Sequence, residues 1–262
     1  MPETIEDKID RFVQYNENLM EQIMSIYSYK NNGIHAKILF CSLFDSLAKC
    51  AYPEIKNNGE RFKKTIVNHT QWEDAQRVSL LHLQRAFDVV DEIPERFLNL
   101  KDEINTLFFQ HFQPSTYGVF DRLSLSIDPS YADIKSKFPT NSKGNLSQLG
   151  EIALEQLQHK NLLWLYRNSL VHEYRIPGAG TEPISRHWTD PCYQEMSTFI
   201  GDDFKIVHKN FELHYPIDFF KQMCQESLHS IAQEYRNKGK GEGESPFKVY
   251  SEGEYWLPKF NE

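Results

Sequence analysis

Apolar residues recur at three- and four-residue intervals along most of this chain, and proline or glycine interrupts the pattern at a few points. That spacing puts apolar side chains on one side of successive helices, so a mainly α fold is expected. Ile5, Ile9, Phe12, Val13 and Met20 keep helical phase through a polar first segment, and Asn31-Asn32-Gly33 ends it. Dense apolar residues over 34–52, among them Phe40, Leu43, Phe44 and Leu47, predict a helix buried on most sides, with Pro53 as its stop. Further helices are expected over 60–67, 73–90 and 95–112. The strongest is expected over 146–175, where Leu149, Ile152, Leu157, Leu163, Trp164, Tyr166 and Leu170 form a wide apolar arc. Pro177, Gly178 and Gly180 follow it.

Two stretches depart from this pattern. Residues 114–145 are rich in Pro, Ser, Gly and Asp and read as an irregular excursion. Residues 177–215 form a second excursion, and between Cys192 and Tyr215 apolar and polar residues alternate. A small β-hairpin is expected there, with Lys209-Asn210 near its turn. Pro216 then suits the start of a last helix over 217–235. The expected organisation is one helical domain over 1–238. The tail, 239–262, regains aromatics at Phe247, Tyr250, Tyr255 and Trp256 and is expected to dock on that domain.

With 262 residues, 18 of them Phe and 13 Tyr, the chain can bury enough apolar surface to offset its folding entropy. Its formal net charge of −8 argues against non-specific coating of nucleic acid, which needs a basic surface, but leaves room for a small positive site. The basic run from Lys49 to Lys64 reads as a solvated helix face. No stretch approaches the roughly 20 apolar residues of a membrane span, and no signal peptide is evident, so no membrane association is expected. Cys41, Cys50, Cys192 and Cys224 lack framework spacing, which suits a reduced, cytoplasmic setting.

Most candidate sites fail on spacing. There is no HExxH, no CxxC and no His pair one helical turn apart, so no metal site and no cofactor are expected. Gly239-x-Gly241-x-Gly243 lacks the flanking strand and helix of a phosphate loop. What remains is Arg167-Asn168-Ser169-Leu170-Val171-His172-Glu173-Tyr174. On a helix Asn168 and His172 share a face, and Tyr174 falls two turns below Arg167. Arg167 and His172 diverge by roughly 140°, so they are expected to flank a groove without touching. Histidine suits proton transfer near neutrality, arginine suits charge on a phosphoryl group, and an amide can orient either. One copy offers a single His where RNA cleavage wants an acid and a base. A two-fold homodimer would supply both. The same Arg-x4-His spacing occurs at Arg77–His82, and basic residues in a last helical turn are favourable without any further purpose.

The run from Trp164 to Tyr174, ending a helix before Pro177, resembles the signature of HEPN-domain proteins. Arg167, the polar Asn168 and His172 match position for position, whereas the Arg77 copy has Val78 in the polar slot. The resemblance covers about 15 residues. It implies an antiparallel helical bundle, a homodimer and a metal-independent endoribonuclease acting on single-stranded or tRNA-like loop RNA. Arg167, Asn168 and His172 would be its catalytic residues, in a toxin–antitoxin or anti-phage defence setting. His172-Glu173-Tyr174 is similar to the extended form found in HEPN toxins paired with nucleotidyltransferase antitoxins. There Tyr174 would be a site of regulatory modification with AMP. Arg175, His187 and Trp188 are candidate RNA contacts; Trp188 suits stacking on an unpaired base, and partly buried packing is its more ordinary account. The chain is nearly twice the length of a minimal HEPN toxin and looks like a larger, defence-associated member. The alternative is a non-catalytic protein of the same fold that binds RNA, a nucleotide or a protein partner.

Overall fold

The computed structural model describes residues 4–30, 33–113, 122–177, 188–200 and 205–239. Among them the helices are α1 (Ile5–Lys30), α2 (Gly33–Ala51), α3 (Asn58–His69), α4 (Leu80–Val89), α5 (Leu98–His111), α6 (Tyr131–Lys137), α7 (His159–Glu173) and α8 (Ile217–Gly239). Three strands, β1 (Arg122–Ser124), β2 (Cys192–Ile200) and β3 (Lys205–His214), form one antiparallel sheet in the order β1-β2-β3. The protein is thus mainly helical with a small β element. Its residues gather into two compact units, 1–71 with 220–262 and 72–219, where one domain over 1–238 is expected from the sequence.

In the first unit α1 packs on α2 and α2 on α3. Thr4 and Asp7 exchange backbone-to-side-chain hydrogen bonds at the start of α1, and Asn57 caps α3 by accepting the Glu60 N–H at 3.0 Å. Phe40, Phe44 and Leu47 are buried on α2, as their density predicts, and Phe44 meets Phe62 edge-to-face at 4.9 Å. From α8, Tyr235 donates to the Cys50 carbonyl at 2.9 Å and packs on Phe12. Arg236 bonds Glu6 and Asp10 at 2.7 Å each.

The second unit builds its core from α4, α5, α6, the sheet and the connections between them. Leu83 and Phe87, Phe97 and Ile104, Ile134 and Phe138, and Tyr193 and Phe211 all belong to one buried cluster. Tyr193 and Phe211 sit on one sheet face with Leu123, while Arg122, Cys192 and His214 project from the other. All four cysteines, in both units, are buried free thiols.

Several expected elements are redrawn. The helix over 146–175 begins only at His159. Before it come a bridged turn pairing Leu149 with Ile152, closed by Gly150 at φ 61°, and one 3-10 turn over Leu154–Leu157. Leu149, Leu154 and Leu157 are buried, so their apolar signal marks core residues without marking an α-helix. The helix over 73–90 is split into a 3-10 turn, Glu73–Gln76, and α4. Between them the chain is extended, because Val78 bridges Gln158 and Ser79 acts as an N-cap. The 114–145 excursion holds β1 and α6, and Leu125, Ile134 and Phe138 anchor it in the core; residues 114–121 lie outside those described. The hairpin is present, but Lys209 and Asn210 lie inside β3, paired with Ser197 and Met196. Its turn falls within 201–204, outside the described residues, as does the tail over 240–262.

Candidate active site

Helix α7 carries the Arg167–His172 segment, and its amphipathic pattern explains how. His159, Leu162, Leu163, Tyr166 and Leu170 are buried at three- and four-residue intervals. Asn161, Leu165, Asn168 and His172 recur at the same intervals on another side. Leu165 is 55% exposed there, which is unusual for a leucine beside polar groups. The start of the helix is held by the His159 N–H, which donates to the Arg77 carbonyl at 3.1 Å.

Arg167, Asn168 and His172 come together. Arg167 Nη1 donates to Asn168 Oδ1 at 3.0 Å and meets His172 Nε2 at 3.1 Å. The expectation that the Arg and His cannot touch is therefore corrected. The 140° divergence holds for the Cβ atoms, but the long guanidinium arm folds past Asn168 to the last turn. A guanidinium can only donate, so His172 must accept at Nε2, which puts its proton on Nδ1. Arg167 Cζ also lies 5.0 Å from the centre of the Trp164 ring, one turn earlier on the helix. The guanidinium is thus held between an indole face, an amide oxygen and an imidazole nitrogen, and is only 9% exposed. His172 is exposed and Asn168 half-buried, so a ligand reaches the imidazole and the amide first.

Tyr174 departs from its expected place below Arg167. It is the C-cap of α7, with φ 54° and ψ 32°, and its N–H donates to the Ser169 carbonyl. Helical phase stops before it, and the left-handed turn leaves its side chain 71% exposed. Arg175 pairs with Glu173 on the surface, and both side chains are exposed. Trp188 is half-buried, with His214 at its edge and Arg122 over its ring. His187 lies outside the described residues.

The second Arg-x4-His copy is built differently. Arg77 lies before α4, with Nε on Asp74 Oδ1 at 2.9 Å and Nη1 donating to the Asp128 carbonyl at 2.8 Å. His82, in the first turn of α4, meets the Ser79 Oγ at 2.8 Å. From Ser79 a buried chain continues to Tyr193 Oη at 2.7 Å, to Asp128 Oδ2 at 2.7 Å and on to His159 Nε2 at 2.6 Å. Asp128 Oδ1 also accepts the Leu80 N–H at 2.9 Å. One proton order satisfies the chain: His82 donates to Ser79, Ser79 to Tyr193, and both Tyr193 and His159 to Asp128. Burial pushes the His82 imidazole down to about 3, with help from Arg85 and His159, so it stays neutral. Burial, and then Asp128, hold the Tyr193 phenol well above its ordinary range. Ser79, Asp128, His159 and Tyr193 are all buried, so this is a structural network joining α4, the 128–129 turn, α7 and β2.

Sequence reading did not find this network, because residues 79, 82, 128, 159 and 193 share no spacing. The only trace was the serine preceding α4, a typical N-cap. Among the described residues no group of three or more His, Cys, Asp or Glu side chains is placed to hold a metal ion. No helix there is long and apolar enough to cross a membrane. No family model, curated protein or solved structure matches the chain.

Proposed function

We propose that the protein is a HEPN-type endoribonuclease that cleaves single-stranded or loop RNA with its own side chains, in a toxin–antitoxin or anti-phage defence setting in the cytoplasm. The observation that carries this reading is the Arg167 Nη1 contact with both Asn168 and His172. An exposed imidazole accepting at Nε2 is the form a general base needs. In the reaction the ribose 2′-oxygen bonds to phosphorus as its proton passes to His172. The bond from phosphorus to the 5′-oxygen breaks, and that oxygen takes a proton from an acid. The products are a 2′,3′-cyclic phosphate and a free 5′-hydroxyl. Arg167, moving off the imidazole as substrate enters, balances the charge on the phosphoryl oxygens, and Asn168 keeps it in register.

The acid would be His172 of a second copy. Support for a homodimer seam along this face of α7 comes from exposed Leu165, one turn before Asn168 and two before His172. Tyr174, exposed beside the motif, is the proposed site for AMP modification by a nucleotidyltransferase antitoxin; the added phosphate would oppose an RNA phosphate by charge.

The burial of Arg167 and the net charge of −8 favour a second reading, a non-catalytic RNA-, nucleotide- or partner-binding protein of the same type. Incubation of the purified chain with labelled tRNA in EDTA separates the two. Cleavage leaving 2′,3′-cyclic phosphate ends, abolished in His172→Ala, supports the nuclease. RNA retained intact by wild type and His172→Ala alike supports the binder.

A further inference from the structure

We infer that Trp188 and Arg122 form a subsite for one unpaired nucleobase of the RNA, away from the scissile phosphate; this rests on the ribonuclease reading above. Arg122 opens strand β1 and is exposed, and its guanidinium rides 5.7 Å from the centre of the Trp188 ring. The Trp188 ring in turn stands edge-on to His214, at 6.3 Å and 66°, on the sheet face that Arg122 and His214 share. The indole is therefore fixed by its edge against the sheet, while the arginine above it sits more loosely than Arg167 does over Trp164 at 5.0 Å.

In the same unit as Arg122, Arg77 is paired with Asp74, Arg85 with Glu212 and Arg175 with Glu173. Arg122 has no acidic partner among the described residues, in a protein of net charge −8. A guanidinium beside an indole matches what single-stranded RNA offers. Every base has a π-face to lay on the ring, and every nucleotide carries a phosphate for the cation. A base arriving on Trp188 would move the guanidinium sideways onto its own phosphate.

A chain of ring contacts runs from the subsite toward the helix of the motif. His214, under Trp188, precedes Tyr215, whose ring lies 5.0 Å from that of Tyr166, and Tyr166 precedes Arg167. Two ring contacts and two steps along the backbone thus link the indole to Arg167 through the interior, since Tyr215 and Tyr166 are buried. A base held at the subsite would be read for being unpaired rather than for its sequence, because stacking tolerates any base.

The test measures affinity of the full chain for a short single-stranded 2′-O-methyl RNA, which lacks the attacking hydroxyl, and for the same sequence in a duplex. Arg122→Ala and Trp188→Ala are each expected to weaken single-strand binding about tenfold. Trp188→Phe should retain most of it, and duplex binding should not change. On a cleavable RNA the two alanine variants should raise KM and leave kcat near wild type. Arg122 is exposed, so its variant tests the subsite even where Trp188→Ala fails to fold. Wild-type affinity and KM in Arg122→Ala, and in Trp188→Ala where it folds, together with a cleaving wild type, would overturn this subsite alone. A wild type that neither binds nor cuts RNA would overturn both readings.

Discussion

The chain contains Arg-x4-His twice, and the two copies have opposite surroundings. At Arg167–His172 the helix runs unbroken through both residues, so the arginine reaches the histidine and the imidazole stays exposed. At Arg77–His82 a helix begins between them: Arg77 ties two turns together, and His82 is drawn inward onto Ser79. Identical spacing therefore produced one cluster with an exposed imidazole and one buried network that ties α7 to α4. The difference lies in the residue after each arginine and in its neighbours. Asn168 continues the helix and gives the guanidinium an acceptor, whereas Val78 is extended, bridges Gln158 and hands over to the Ser79 cap.

Breaking the buried copy should have the largest effect on stability. Asp128→Ala would strand donors from Leu80, His159 and Tyr193 inside the protein, and a loss of about 3–5 kcal/mol is expected from denaturant unfolding. Acid should act on the same network. The folded His82 has its imidazole at about 3, against 6.5 when unfolded, so the unfolded chain binds the extra proton. Stability conferred by the neutral imidazole is complete above pH 6.5 and is lost, at about 1.4 kcal/mol per pH unit, as pH falls toward 3. Burial lowers His69 as well, with the same sign, so His82→Asn should reduce the acid slope without removing it.

Substitutions around the exposed copy should move activity more than stability. Trp164→Leu removes the indole under Arg167; it is expected to slow cleavage about tenfold, with a stability cost of about 1 kcal/mol. Tyr174→Gly should have the smallest effect. It relieves a non-glycine residue at φ 54°, so the melting temperature should hold or rise by an amount equivalent to at most about 1 kcal/mol. Modification by a nucleotidyltransferase would be lost in that variant.

The mainly helical class and the antiparallel hairpin were legible because period 3.6 and period 2 are direct consequences of backbone geometry. The residues of the exposed copy were singled out by their resemblance to a known signature, because helical spacing alone fits Arg77–His82 equally well. Two kinds of feature were not legible. Leu149, Leu154 and Leu157 read as part of one long helix, yet Gly150 turns the chain and the core takes the leucines from a bridged turn and a 3-10 turn. The contact between Arg167 and His172 was missed because Cβ directions say nothing of how far a guanidinium extends. The Asp128–His159 pair depends on tertiary contact across 31 positions, which no local pattern encodes.

The most direct test compares His172→Ala with His82→Asn for RNA cleavage in EDTA, at a temperature where circular dichroism shows both to be folded. Cleavage should fall by about a thousandfold or more in His172→Ala and stay within about threefold of wild type in His82→Asn. Equal loss in the two variants, or full activity in His172→Ala, would contradict the division of the two copies into chemistry and scaffold.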